Sequence, residues 1–470
     1  MILSTTNELA SEGHLQTIEQ LRSGELIGIR HLRLSSNLTC FPIEIIDLAD
    51  TLETLDLSGN SLSALPDNFS LLTKLRIFFC SNNEFTELPE ILGSCPELSM
   101  VGFKANRIRK VSAEAIPSKL RWLILTDNEI EELPNEIGRC RLLQKLMLAG
   151  NRLHTLPASL ANCSRLELLR IAANQLNEFP AWLLSLPRLS WLAYAGNPFS
   201  AESEARALSD LSIIDIPWNR LELEQIIGEG ASGVIHHAKY HITDDESYDV
   251  AVKLFKGEVT SDGLPHSEMA ASMSAGTHPN LINVLGRVQS HPLGSNGLVM
   301  QLIDTDFISL ADPPSLDSCT RDIYSSNASF DLPMVLNIAY NIASAAQYLH
   351  SLGIMHGDFY AHNILHCRDG QALIGDFGAA SFYSRSDGMT AEGLERLEVR
   401  AFGCVLEELI DRCNVSSEEI SALNLLINLK VACLSDESQC RPFFDEICLL
   451  LNETKLSICV SNFTYHSNSY

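Results

Sequence analysis

The sequence predicts an α/β solenoid of stacked parallel strands over its first 200 residues, followed by a second domain of different construction. The solenoid rests on a ladder of asparagines. Asn37, Asn60, Asn83, Asn106, Asn128, Asn151, Asn174 and Asn197 recur every 23 residues, with one step of 22. Each lies in the frame L-x-x-L-x-L-x-x-N-x-L, seen in Leu52, Leu55, Leu57, Asn60 and Leu62. A unit of this size cannot bury its apolar face alone, so a fixed period in this range means stacking. The second domain rests on the end of that ladder near residue 200, where a series of short polar and glycine-containing motifs begins.

Each element of a unit has a reason. The L-x-L core alternates and forms one short strand, and the asparagine amide can satisfy backbone groups along the turns. Pairs such as Leu65-Pro66 and Leu156-Pro157 then turn the chain onto the convex side. The fourth unit is one residue shorter and has Val111-Ser112 instead of Leu-Pro, which predicts a local irregularity in curvature. This arrangement resembles the leucine-rich-repeat family over eight units, from Ile29 to Asn197. Within the concave sheet the pattern turns an apolar stripe outward: Ile77, Met100, Trp122, Leu168 and Trp191, interrupted by Lys145, with Phe79, Ile124 and Met147 two positions on. Such a stripe on an exposed face predicts a protein substrate or regulator as partner, with packing under a terminal helix, an interdomain contact or a homo-oligomer as the alternatives. Residues 1–28 have helical spacing (Leu9, Leu15, Ile18, Leu21) and are expected to cap the stack, residues 29–200 to form the solenoid, and 201–218 to form a second cap and linker. No Gly/Ser-rich or Pro-rich linker separates the halves, so rigid packing is expected.

Composition narrows the function. A formal net charge of −26 argues against nucleic-acid and anionic-membrane binding, because both would repel the chain. No secretory signal opens the sequence, and no apolar run reaches the length of a membrane span. The 13 cysteines are odd in number and lack metal-type spacing. Cys95, Cys140 and Cys163 share one slot of successive repeats, as small buried residues would. Reduced thiols and a cytoplasmic location are the expectation. Oligomeric state stays open.

In the second half, residues 223–234 read LEQIIGEGASGV, a G-x-G-x-x-G-x-V with Gly228, Gly230, Gly233 and Val234. Glycines there let a hairpin backbone approach phosphates. Val250-Ala251-Val252-Lys253 places a lysine on a strand, which either an anion to meet or a solvated edge would explain. His356-Gly357-Asp358 with Asn363, and then Asp376-Phe377-Gly378, come next in order. Together these motifs resemble the eukaryotic-type protein kinase fold, an α+β bilobal domain, over residues 219–455, followed by a polar tail, 456–470. The resemblance implies ATP and Mg²⁺ as cofactors. Lys253 would hold the α- and β-phosphates with Glu268 as its ion-pair partner. Asn363 and Asp376 would bind the metal, and Asp358 would take the acceptor's proton. Gly228, Gly230, Gly233, Val234, Ala251, Met300 (the gatekeeper position) and Leu302 would line the nucleotide.

Three departures from the pattern matter. Gly357 stands where many kinases have arginine. Tyr360 stands where Ser/Thr kinases have a lysine near the γ-phosphate, and His362 is the candidate to compensate its charge. No Ala-Pro-Glu occurs after Asp376, so Arg441 needs another partner, for which Glu395 or Glu398 is expected. Ser381, Tyr383, Ser384, Ser386 and Thr390 are candidate phosphorylation sites in that stretch. The expected function is an ATP- and Mg²⁺-dependent protein kinase, acting on serine or threonine before tyrosine, that recruits its target through the repeats. Two alternatives are a nucleotide-binding pseudokinase scaffold and a kinase-like phosphotransferase with a small-molecule acceptor.

Overall fold

The computed structural model describes residues 16–209, 214–230, 232–243, 245–257, 260 and 262–467, with side chains to 457. The expected helical positions Leu9 and Leu15 lie outside the described residues. Just after Gln16 the chain forms one short helix, α1 (Ile18–Arg22), closed by a capping box between Thr17 and Gln20.

Eight strands of three residues each, β1 (His31–Arg33), β2 (Thr54–Asp56), β3 (Ile77–Phe79), β4 (Met100–Gly102), β5 (Trp122–Ile124), β6 (Lys145–Met147), β7 (Leu168–Arg170) and β8 (Trp191–Ala193), form one parallel sheet in sequence order. Short 3₁₀ turns on the convex side join them. The central residue of each strand points inward, and Leu32, Leu55, Phe78, Val101, Leu123, Leu146, Leu169 and Leu192 are all buried. The asparagine ladder ties the units together on the turn side. Asn151 Nδ2 donates to the carbonyls of Leu125 (2.8 Å) and Leu148 (2.9 Å), and its Oδ1 accepts from the Ile130 amide at 3.1 Å. Each asparagine thus links its own unit to the preceding one. Asn37 has no such preceding unit, and it is exposed with φ +52°. Cys95, Cys140 and Cys163 are buried free thiols, with burial pushing their pKa up to about 11, 12 and 11.

Helix α2 (Ala201–Ser209) follows the last repeat. Residues 215–217, expected to lie in the linker, instead form an edge strand, β9 (Asp215–Pro217), with Ile216 fully buried. This strand pairs parallel with β13 (Val284–Gln289). The remaining members of that sheet are β10 (Leu221–Glu229), β11 (Gly233–His241), β12 (Ser247–Phe255) and β14 (Gly297–Gln301), in the order β10-β11-β12-β14-β13-β9. Helix α3 (Pro265–Ser274) packs beside this sheet.

The rest of the chain builds a helical lobe. Its centre is α4 (Leu332–Ser351), started by the Asp331 side chain accepting from the Met334 amide at 2.8 Å. Buried Val335, Leu336, Ala339, Ile342, Ala343 and Ala346 make one face of it continuous core. The other helices are α5 (Gly388–Ile410), α6 (Ile420–Cys433) and α7 (Phe444–Ser467). Helix α7 runs on through most of the segment expected to be a tail. No helix among the described residues is long and apolar enough to cross a membrane.

The two halves are packed face to face. Met147, Leu168 and Trp191 from the concave sheet share a buried cluster with Phe359, Tyr360 and Phe377 of the second domain. A second small cluster joins Ala149, Ala172 and Ala193 to Ala379. This corrects the expected free stripe. Leu168 and Trp191 are taken by the chain's own C-terminal domain, and Met100 is also buried, whereas Ile77 and Trp122 stay half-buried. The physical reason is that a concave apolar surface is buried by whichever partner is nearest, and the tether makes that partner the same chain.

Candidate active site

The strands of the small lobe set out the first group of residues. Gly228 and Glu229 end β10, Gly230 turns the hairpin with its amide on the Gly233 carbonyl at 2.9 Å, and Val234 lies on β11. A Cβ on Gly233 would stand 2.5 Å from the Leu254 carbonyl oxygen, so this glycine permits β11 to lie against β12. Gly230 has nothing within 4 Å of its would-be Cβ, which leaves its outer face open. Ala251 pairs in register with Met300, and Lys253 pairs with Leu298, so the antiparallel ladder aligns the lysine strand with the gatekeeper strand. Leu302 lies just beyond that strand and is half-buried.

Lys253 meets the Glu268 carboxylate of α3 in a buried ion pair, and its Nζ lies 3.6 Å from Asp376 Oδ1. Burial opposes the ammonium charge, but the Asp376 and Glu268 carboxylates outweigh it and lift its pKa above the usual lysine range. The Lys253 ammonium in turn holds Asp376 below the usual carboxylate range. Asp376 sits at φ +56°, a strained conformation of the kind that collects at functional sites. Its side chain is 38% exposed, so a cation can reach it.

Asp358 and Asn363 lie on one loop between α4 and the strand Ile364–His366, which pairs antiparallel with Ala372–Ile374 and so brings Asp376 alongside. Asn363 Nδ2 donates to Asp358 Oδ2 at 2.8 Å, leaving the amide oxygen to meet a metal. Burial raises the Asp358 pKa. The loop is held from below by Glu398 of α5, which accepts from the amides of Gly357 (2.7 Å) and His356 (3.2 Å) and lies 2.8 Å from His350 Nε2. The structure therefore groups Lys253, Glu268 and Asp376 beside the glycine hairpin, with Asp358 and Asn363 joined on the neighbouring loop. An ammonium, an accessible carboxylate, an amide and an open hairpin are the donor set a nucleotide–metal pair requires.

His362, the candidate to compensate the missing lysine charge, is held by Asp322, which lies 2.8 Å from its Nδ1 and accepts from its backbone amide at 2.9 Å. Burial opposes its charge, but the Asp322, Asp358 and Asp376 carboxylates outweigh that and raise its pKa. One expectation is corrected. Among the described residues Arg441 meets no carboxylate. It donates to the carbonyls of Ser435 (2.9 Å), Arg396 (3.1 Å) and Pro187 (2.7 Å), the last belonging to the solenoid. Glu395 accepts from the Phe444 amide at 2.9 Å instead. Carbonyls suffice because the guanidinium's five donors can be met by any acceptors set in its plane.

The residues that sequence reasoning missed come mostly from the solenoid. Arg170, fully buried, donates Nε to Asp262 at 2.6 Å, Nη1 to the Gly357 carbonyl at 3.1 Å, and Nη2 to Asp358 Oδ1. Trp191 stacks on Tyr360 with ring centroids 4.2 Å apart and planes at 5°, and its Nε1 donates to the Phe359 carbonyl at 3.2 Å. The Tyr194 amide donates to Ser381 Oγ at 3.0 Å, and its hydroxyl to the Phe382 carbonyl at 3.3 Å. The signal for Arg170 was faint: its slot holds Phe79, Ile124 and Met147 in some units but Arg33 and Asp56 in the first two.

Comparison with known proteins agrees with this architecture. Residues 221–407 match the protein tyrosine and serine/threonine kinase family. Residues 118–214 match the leucine-rich repeats of leucine-rich repeat and WD repeat-containing protein 1, and residues 51–72 match the leucine-rich repeat family. Fibroblast growth factor receptor 1 of Pleurodeles waltl is 28% identical over 222 residues, which cover 44% of this chain and 26% of that protein. The chain thus spans about a quarter of that relative's length. The chain joins a leucine-rich-repeat solenoid to a protein kinase domain.

Proposed function

We propose that the chain is a protein kinase that uses ATP and Mg²⁺, with serine or threonine as the acceptor. The observation that carries this is the assembled polar set: Lys253 lies against both Glu268 and Asp376, and Asp358 is hydrogen-bonded to Asn363. In this reading Lys253 and the glycine hairpin hold the nucleotide phosphates, and Asp376 and the Asn363 oxygen ligate the metal. Asp358 orients the acceptor hydroxyl and takes its proton. Bound there, ATP would supply the phosphoryl group and Mg²⁺ would neutralise its oxygens. Ala251, Met300 and Leu302 supply the apolar wall for the base.

Recruitment by the repeats falls to the part of the concave face that the kinase domain leaves uncovered, where Ile77 and Trp122 are half-buried. A cytoplasmic location fits the buried free thiols.

One observation favours a second reading. The solenoid covers the segment 377–382, just after Asp376, while the Asp358 side chain keeps 19% exposure. That geometry suits a small-molecule acceptor, which needs only the gap above Asp358.

The test is transfer of label from radiolabelled ATP with Mg²⁺ by the full-length protein and its Asp376→Ala variant, with autophosphorylation, a lysate and a small-metabolite panel as acceptors. Labelled phosphoserine or phosphothreonine that vanishes in the variant is the expected result. Label found only on small molecules moves the assignment to the second reading. Nucleotide binding without any transfer would make the domain a scaffold.

A further inference from the structure

The position two residues after Asp358 carries no cation. Tyr360 fills it and is pinned under Trp191, and His362 is held by Asp322. Yet a cation does stand on Asp358, and it comes from 188 residues upstream. Arg170 is a buried guanidinium whose desolvation is offset by two carboxylates, Asp262 and Asp358. Lys145, one strand earlier, stacks over Trp122 with its Nζ 4.3 Å from the ring centre, and burial lowers its pKa. In a chain of net charge −26, Arg170 is thus the cation that the concave sheet sets against Asp358.

The docked solenoid also leaves the site assembled rather than broken. The Lys253–Glu268 pair is made, and the cap braces helix α3, with Ser267 Oγ 3.4 Å from Glu204 Oε2. Glu204 is itself held by the Gly196 amide at 2.8 Å and the Ser200 hydroxyl at 2.6 Å. A guard that blocked the enzyme would have no need to hold α3 inward.

We propose that Arg170 is a catalytic residue lent by the solenoid, supplying to the transferred phosphoryl group the cation that the Tyr360 position lacks. This rests on the kinase reading above. A planar guanidinium suits the task because it can hold a carboxylate and still present N–H groups to phosphate oxygens. The repeats are then part of the active site as well as an attachment to it.

The test uses the full chain with Arg170→Met, Arg170→Lys and Asp262→Asn. Affinity for adenylyl imidodiphosphate and for ADP, each with Mg²⁺, is measured by calorimetry, so no turnover is needed. Arg170→Met is expected to cut the preference for the triphosphate analogue about 10-fold while leaving ADP affinity unchanged. Its kcat should fall about 100-fold, and Arg170→Lys should recover part of both. Asp262→Asn frees the guanidinium from one carboxylate and should raise the preference for the analogue; it keeps the test decisive if Arg170→Met does not fold. An unchanged preference in the Met or Asn variant overturns the proposal. So does faster transfer by Arg170→Met, which would make the arginine a plug. If the unaltered chain binds neither nucleotide, the kinase reading fails and this one with it. If it binds and transfers normally but the variants keep its preference, only this one fails.

Discussion

At the scale of single residues, the departures from the kinase pattern are explained by what touches them. Gly357 replaces an arginine because there is no room for a side chain. Its φ is +75°, and a Cβ would lie 2.5 Å from the Leu192 carbonyl oxygen of the solenoid and 2.6 Å from that of Ala379. Gly357→Arg should therefore lower stability by more than about 2 kcal/mol, read as the urea midpoint, and should not raise activity. Glu398 gives a prediction with a pH sign. Burial disfavours its charge, but His350, His356 and the Gly357 amide outweigh that and hold its pKa below the usual carboxylate range. A depressed folded pKa adds stability that is fully present above the unfolded carboxylate value, about 4.3, and is lost as pH falls through the folded one. Glu398→Gln should be less stable than the unaltered chain at pH 7, with the gap closing below about pH 4. A gap of constant size across that range in denaturant titrations would refute the role given to Glu398.

Among the elements, the repeat strands are three residues long and cannot stand alone, so their stability is held in the turns between them. Replacing Asn151 with alanine removes both donated bonds and strands the Ile130 amide, all in buried surroundings. The cost should be about 3 kcal/mol or more by chemical denaturation. Asn37→Gly should change stability by less than about 1 kcal/mol, since Asn37 is exposed and glycine accepts its positive φ. Equal costs at the two positions would mean that the ladder contributes nothing beyond the turn conformation. This much was legible beforehand, because a period and its hydrogen-bonding residue are local properties. The grouping of Lys253 with Glu268 and Asp376, and of Asp358 with Asn363, follows for a similar reason: each motif carries its own strand, turn or loop, and the lobe's register aligns them. The edge strand Asp215–Pro217 was not legible, because three residues on a sheet margin have no periodicity to read.

For the whole molecule, the question is whether two domains behave as one. Trp191, Arg170 and Tyr194 are each buried to about 1% exposure between the halves, and Arg400 and Arg441 reach across to Ser190 (2.7 Å) and Pro187. An interface so fully buried and cross-linked by hydrogen bonds should make unfolding cooperative across it. The unaltered chain should melt in a single calorimetric transition. Trp191→Ala, which costs about 3–5 kcal/mol, should split that into two. Two transitions in the unaltered chain would show that the halves fold independently.

By itself the sequence determined the repeat architecture, the kinase-type motifs and their order, because these depend on spacings of a few residues up to one repeat. It also placed an apolar stripe on the concave sheet. Only the tertiary structure decided what covers that stripe, why Gly357 and Tyr360 stand where they do, and which cation faces Asp358. Those facts depend on contacts between positions far apart in the chain, such as Arg170 with Asp358 and Trp191 with Tyr360. No local pattern encodes such a pair, since it exists only once both folds are complete and their surfaces meet.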